Sequence, residues 1–521
     1  MRLYKKGNQK VGSYMNKKLE GLSLEEKVGQ LFVSGFFGLW PTEEYLDLIE
    51  EEKLGNVILF SHNISDKKQL ACLNKTLRKK IVKETGIIPF ISVDEEGGVV
   101  TRLPKECAIM PSAMAQSQTK DRQLIYEGAR ITAEQLKQLG INMNLAPVLD
   151  INSNRQNPVI GVRSFGECSD DVCFYAKEVM KAHKEIGILC SGKHFPGHGD
   201  TDIDSHLGLP VIEKSRKELE RQELVPFKEM IRKEIPAITI AHIVVKALEP
   251  LEIPCTISKT VLTDYLRKEL NYQGLIISDC MEMKAMSEYG TIEENVISAL
   301  KAGIDLIFIS HTPSLVKRAS KAVREAVKRE EITMEELDKK VARILKAKET
   351  LSTLEEIDIA KAGTKEQLDF TNSFLEKTIQ KEGKKEAFFL GENPIFIGII
   401  PSNTTNVSDI ARQPILFADY LANKYGGTKI TLSLDPGEEE LQQVKESLIG
   451  KTSVVVGTLN GHLYEGQKKL LSILDHSSLP VALATLRNPY DRVLIKKDIF
   501  FVPLYEYSER VIQIFAEYLV Q

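Results

Sequence analysis

The sequence predicts an α/β protein: a (β/α)8 TIM barrel followed by a smaller α/β domain. Three observations carry this. Between residue 28 and about 350, short apolar runs alternate with amphipathic, charge-rich segments. The runs number eight, the count of a (β/α)8 barrel, where a doubly wound sheet is the competing arrangement. Past a polar stretch near 352–365 a second series of apolar runs begins.

The eight runs are, in order, "VGQLFVSG", "NVILF", "PFISVDEEG", "INMNLAPVLD", "ILCSGKHF", "AITIAHI", "GLIISD" and "IDLIFIS". Short, nearly continuous apolar runs are what strands buried on both faces look like. Between them, "TEEYLDLIEEEK", "DKKQLACLNKTLRKKIVKE" and "IYEGARITAEQLKQLG" carry apolar residues at i, i+3, i+4, the period of an amphipathic helix. Several start at Thr, Ser or Asp and stop at Gly, as capped helices do. The second series reads "IFIGIIP", "KITLSL", "SVVVGTL", "PVALATL" and "IFFVPLY". The expected organisation is a flexible basic N-terminus (1–18), a barrel (19–351), a linker (352–365) and a C-terminal domain (366–521).

A chain of 521 residues exceeds one ordinary domain. Net charge is −4 with both signs mixed, so there is no electrostatic footprint for nucleic acid. No apolar run is long enough to cross a bilayer. The N-terminus is basic with no apolar core behind it, so a secretory signal is not expected. Seven scattered cysteines without a CxxC pair fit reduced thiols in a cytoplasm.

Barrel chemistry sits where strands run into their following loops. Run three ends in Asp94-Glu95-Glu96, run four in Asn144 and Asp150, run five in Lys193-His194. Run six ends in His242, run seven in Ser278-Asp279 and run eight in Ser310-His311. An Asp after a strand is often only a helix cap. Several carboxylates, His and Lys converging on one rim suit a polyhydroxylated substrate such as a sugar.

The loop after run five, "SGKHFPGHGDTDIDSHLG" (191–208), is dense in His and Asp. Its Pro and Gly residues exclude a helical His-x-x-x-His metal site. A loop site from His198, Asp200, Asp202 and His206 stays open as an alternative, although no metal or cofactor is expected. In Asp204-Ser205-His206 a carboxylate two residues from an imidazole can fix the ring's tautomer. The other nitrogen is then free to give or take a proton. The glycines before it would let this dyad move over a substrate.

"KHFPGHGDTDIDSH" closely resembles the signature of family 3 glycoside hydrolases, in their β-N-acetylglucosaminidase branch. "VDEEGGVVTR" (93–102) resembles that family's sugar-binding "DQEGGRVQR" segment, and "GVRSFG" (161–166) its Arg-containing loop. "GLIISDCMEM" (274–283) resembles the strand of its nucleophile. "LATLRNPYD" (483–491) is similar to a stretch of its C-terminal αβα sandwich, so the resemblance implies an αβα sandwich-like second domain. The resemblance implies Asp279 as nucleophile, His206 as general acid/base and Asp204 as its partner. It implies Asp94, Arg102, Arg163, Lys193 and His194 as holders of the terminal sugar's hydroxyls. The implied activity is retaining removal of β-linked GlcNAc from peptidoglycan-derived glycans in the cytoplasm, with neither nucleic acid nor membrane as partner. A phosphorylase, or a silent sugar-binding protein on the same barrel, are the alternatives. Glu95, Val99 and Cys280 depart from the family's common Gln, Arg and Asp. The change at Val99 is expected to alter preference beyond the terminal sugar.

Overall fold

A computed structural model describes residues 19–201, 208–351, 357–383, 388–401 and 415–520. Each of the eight runs contains one strand of a closed barrel. They are β1 (Phe32–Ser34), β2 (Asn56–Ile58), β3 (Phe90–Val93), β4 (Met143–Asn144), β5 (Leu189–Phe195), β6 (Ala237–Ile240), β7 (Leu275–Cys280) and β8 (Leu306–Ile309). Every neighbouring pair is parallel, the order follows the chain, and β8 closes onto β1. All eight C-terminal ends therefore open on one rim.

The intervening helices form where the periodicity placed them, and their ends have local causes. Helix Lys67–Thr85 starts at Asp66, whose carboxylate accepts the Gln69 N–H, and stops at Gly86 in the left-handed region (φ 69°). Helix Arg122–Gln138 is capped by Asp121, and helix Ile292–Ala302 by a reciprocal Thr291/Glu294 box.

Two pairings slip at the rim. Lys193 pairs with Thr239 but Phe195 with Ile240, so the β5–β6 register shifts across His194. Ile277 pairs with Leu306 and Cys280 with Phe308, so β7 carries one extra residue around Ser278-Asp279. A bulge breaks the strict alternation of a strand and re-aims side chains. Both bulges fall on the strands that bring Lys193, His194 and Asp279 to the rim.

The second domain is an open sheet. Its strands are β9 (Pro394–Ile399), β10 (Thr428–Leu432), β11 (Ser453–Thr458), β12 (Val481–Thr485) and β13 (Phe500–Pro503). The order is β10-β9-β11-β12-β13, all parallel, with the two-residue strand Glu382–Gly383 antiparallel beside β13. That is a doubly wound order with its switch point between β9 and β11.

The segment before this domain lies against the barrel. The Gly363 N–H donates to Gln135 Oε1 at 3.1 Å, and Lys67 Nζ donates to the Ala362 carbonyl at 2.6 Å. Helix Lys365–Thr378 then buries Phe374 in the barrel core and Leu375 in the core of the second domain. One helix is thus anchored in both hydrophobic cores, which couples the two domains.

The C-terminal ends of β11–β13 face the barrel loops at 109–112 and 152–163. Asn488 Oδ1 accepts the Val162 N–H at 3.0 Å, and Ser112 Oγ donates to the Tyr505 carbonyl at 3.3 Å. Asn152 Nδ2 donates to the Tyr490 hydroxyl at 2.7 Å, and His462 Nε2 donates to the Arg155 carbonyl at 3.0 Å. A Cβ on Gly161 would stand 2.3 Å from Asn488 Oδ1, so only glycine permits this approach. Val99 packs against a small apolar cluster of Met114, Ala115, Val162 and Tyr505, placing it at the domain interface. Among the described residues, no helix is long and apolar enough to cross a membrane.

Candidate active site

At the ends of β3, β4 and β5 the structure assembles a buried polar cluster. Lys193 Nζ lies 2.6 Å from Asp94 Oδ1 and 2.7 Å from Glu96 Oε1. Glu96 also takes a two-pronged ion pair from Arg163, with Nε and a terminal nitrogen both at 2.8 Å. Burial pushes the Glu96 carboxyl up, but the Arg163 and Lys193 charges outweigh it and hold the group well below the usual range. Burial likewise opposes the charge on Arg163 and Lys193, and their carboxylate partners keep both firmly protonated. Two cations are thereby fixed by two anions, in a geometry suited to donating hydrogen bonds to hydroxyls.

His194 stands beside this cluster, with Nε2 3.5 Å from an Arg163 nitrogen. Its Nδ1 lies 2.6 Å from Asp150 Oδ2, and its N–H also donates to that carboxylate. The other Asp150 oxygen accepts the His198 N–H at 2.6 Å. Burial raises the Asp150 carboxyl, yet His194 and His198 more than offset this and hold it low. Asp150 therefore fixes both the orientation of His194 and the path of the chain leaving β5.

That chain is packed at its start rather than loose. His198 is buried, its Nδ1 2.7 Å from Thr201 Oγ1, while its carbonyl accepts Asn157 Nδ2 at 2.8 Å. Burial, then the neighbouring His194, push the His198 imidazole down to about 4. A Cβ on Gly199 would fall 1.6 Å from the Ile151 carbonyl oxygen. This glycine is required by close approach, where the sequence suggested a hinge. Asp200 pairs with Lys214 at 3.2 Å. Asp202, Asp204 and His206 lie outside the described residues. Among the described residues, no group of three or more His, Cys, Asp and Glu side chains is arranged to hold a metal.

Asp279 sits at the end of β7, partly exposed on the same rim, and its Oδ1 accepts the Cys280 N–H at 2.7 Å. His242, from the end of β6, reaches the Cys280 carbonyl at 2.9 Å through Nε2 and Thr256 Oγ1 at 2.6 Å through Nδ1. It thus braces the backbone just after Asp279. The Cys280 thiol is pushed up to about 12 by burial and then by Glu282. Arg102 is on the β3 side of the rim, its guanidinium 5.9 Å from the centre of the Phe60 ring.

Glu95 occupies a different environment from Glu96. Its carboxylate is buried and accepts the N–H groups of Arg102 and Leu103 at 2.7 and 3.0 Å, and the Thr101 hydroxyl at 2.9 Å. Burial outweighs these hydrogen bonds and carries its pKa up to about 7. Asn144 holds the Glu95 backbone at both its N–H and its carbonyl. Behind Asn144, His183 is pushed down to about 4 by burial.

The structure thus brings Asp94, Arg163, Lys193 and His194 together and sets Asp279 and Arg102 on the same rim. Glu96 and Asp150 are the connecting carboxylates. In the sequence both stand at run ends, with no place in the expected site. The only signal was position: Glu96 closes the Asp94-Glu95-Glu96 run, and Asp150 stands just before the Asn-rich stretch that leads to the GVR loop.

Comparisons with known proteins agree in direction. The family model "Glycosyl hydrolase family 3 N terminal domain" matches residues 23–347. Beta-hexosaminidase A of Pseudoalteromonas piscicida is 33% identical over 330 residues, 59% of this chain and 55% of its own length. The present chain therefore spans about half of that relative. A beta-hexosaminidase of Glaesserella parasuis serovar 5 (strain SH0165) is 33% identical over 273 residues, 52% of this chain and 78% of its own. A solved family 3 beta-N-acetylglucosaminidase from Paenibacillus sp. str. FPU-7 superposes with a TM-score of 0.86 at 33% identity, over 96% of this chain and 97% of that one.

Proposed function

This chain belongs to glycosyl hydrolase family 3, in its β-hexosaminidase branch, and we propose that it removes terminal β-linked GlcNAc with retention of configuration. The observation that carries the proposal is the ion-paired cluster of Asp94, Glu96, Lys193 and Arg163, set on the same barrel rim as Asp279. The cluster offers fixed donors and an acceptor for ring hydroxyls. Asp279 offers a carboxylate for the anomeric carbon.

In this reading Asp279 attacks the anomeric carbon as the glycosidic C–O bond breaks, forming a covalent glycosyl-enzyme. Water then displaces the carboxylate. His206, oriented by Asp204, protonates the leaving oxygen in the first step and deprotonates the water in the second. Positioned proton transfer of this kind contributes about 10²–10⁴-fold. A histidine in this role avoids setting a second carboxylate against Asp279, so the two need not split their pKa values by like-charge repulsion. Arg102 and His194 complete the hold on the sugar.

The proposed substrates are peptidoglycan-derived: GlcNAc joined to MurNAc or anhydro-MurNAc, processed in the cytoplasm. The free state of all seven cysteines is compatible with that compartment. Trapping with a fluorinated GlcNAc donor, followed by peptide mass mapping, tests the mechanism. Label is expected on Asp279, and label elsewhere would overturn it. Accumulation of GlcNAc-1-phosphate in phosphate buffer would replace hydrolysis by phosphorolysis.

A further inference from the structure

One feature of the "LATLRNPYD" stretch has no part in that mechanism. Arg487 follows the end of β12, between Leu486, which is fully buried, and Asn488, which is bonded to Val162. Val162 immediately precedes Arg163 of the sugar-holding cluster. The C-terminal ends of β11–β13 face the barrel's loops, so the rim of the second sheet meets the barrel rim that carries the sugar-holding cluster. Arg487 is a cation that the second domain brings there, within electrostatic reach of Arg163.

Its surroundings are unusual for an arginine. Burial, and then repulsion from the Arg163 guanidinium, push its pKa down to about 10, yet it keeps an intermediate solvent exposure. Among the described residues, no carboxylate pairs with it, and Tyr464 is its other charge-sensitive neighbour. Arg163 is already neutralised by Glu96. A sunken, solvent-reachable guanidinium without a counter-ion, held near another cation, lowers its free energy most by meeting an anion.

We propose that Arg487 binds an anionic group on the substrate beyond the terminal sugar, and that this group is a carboxylate of the leaving sugar, such as the lactyl ether of MurNAc. The inference rests on the hydrolase reading for its substrate. It adds a specificity residue from the second domain, outside the cluster that holds GlcNAc.

The test compares three substrates with the full-length wild type, Arg487→Met and Arg487→Lys. They are a neutral aryl β-GlcNAc, GlcNAc-MurNAc, and the methyl ester of that lactyl carboxylate. The wild type is expected to favour the acid over the ester by about tenfold to a hundredfold in kcat/KM. Arg487→Met should abolish that preference and leave the aryl substrate within about twofold. Arg487→Lys should restore part of it. Because Arg487 is repelled where it stands, Arg487→Met should melt no lower than wild type. Calorimetric titration with free MurNAc gives an independent reading: binding to wild type and none to Arg487→Met. An unchanged acid-to-ester ratio in Arg487→Met, or equal MurNAc binding by both, would overturn the assignment. Arg487-dependent stimulation of aryl turnover by inorganic phosphate, yielding GlcNAc-1-phosphate, would reassign the anion to phosphate and overturn the carboxylate. Failure of the wild type on every substrate would strike the hydrolase reading alone, since MurNAc binding is measured separately.

Discussion

Glu96→Gln removes one negative charge from a cluster that contains two carboxylates and two cations. The glutamine keeps the shape but has one acceptor oxygen where the carboxylate has two. Its NH2 group must then face either Arg163 or Lys193, donor against donor, in place of a contact of 2.8 or 2.7 Å. Breaking a buried ion pair by removing one partner costs about 3–5 kcal/mol. The matched barrel region, residues 23–347, is roughly 325 residues long. At ~2.1 cal/mol/K per residue its unfolding entropy is ~0.7 kcal/mol/K, so the barrel transition should drop by about 4–7 °C. Activity should fall further than stability suggests, because Lys193 and Arg163 both lose their fixed orientation. Two misplaced charged hydrogen bonds imply about a hundredfold or more in kcat/KM. Thermal unfolding by circular dichroism and hydrolysis of an aryl β-GlcNAc measure the two effects. Glu50→Gln is the control, since Glu50 pairs with Lys80 at the surface and should shift stability by less than ~1 kcal/mol. A Glu96→Gln protein that melts within about 1 °C of wild type and keeps its kcat/KM would show that Glu96 anchors neither the fold nor the two cations.

Three further outcomes are expected. Asp150→Asn should lower kcat/KM by about 10–100-fold while leaving the barrel folded, because His194 and the His198 N–H lose one charged acceptor; an activity equal to wild type would argue that His194 is held by its other neighbours. Glu95 has a folded pKa raised from 4.5 to about 7, so its stabilising contribution is complete below 4.5 and is lost as pH rises through 7. Glu95→Gln should therefore be about 2–3 kcal/mol more stable than wild type at pH 8 and nearly equal to it at pH 4, and denaturant titrations at the two pH values decide this. Cys72 is exposed while Cys280 is half-buried, with its thiol pushed up to about 12. Iodoacetamide at pH 8 should label Cys72 readily and Cys280 far more slowly, and equally rapid labelling of Cys280 by mass mapping would contradict the raised pKa of its thiol.

The eight barrel strands and the five parallel strands of the second sheet were legible in the sequence, because a strand buried on both faces must be apolar throughout. Helix limits at Asp66, Gly86 and Thr291 were legible because capping is local chemistry. The residues at the strand ends could also be read, including Asp94, Lys193, His194 and Asp279. What the sequence could not determine is which of them touch. An apolar run reads the same with or without a bulge; the slips at His194 and Asp279 arise from pairing with β6 and β8 and exist only in the closed barrel. Glu95 and Glu96 are adjacent and chemically alike. Tertiary contacts alone give one two cations and a depressed pKa, and the other backbone donors and a raised one. Asp150 is one strand-end carboxylate among several in the sequence, and only the fold sets His194 and His198 against it. Arg487 lies more than 300 residues from Arg163 along the chain, and only the docking of one sheet's C-terminal edge onto the barrel brings their charges into mutual reach. Local propensity is written along the chain, whereas ion pairing and desolvation depend on distances that the packed structure alone supplies.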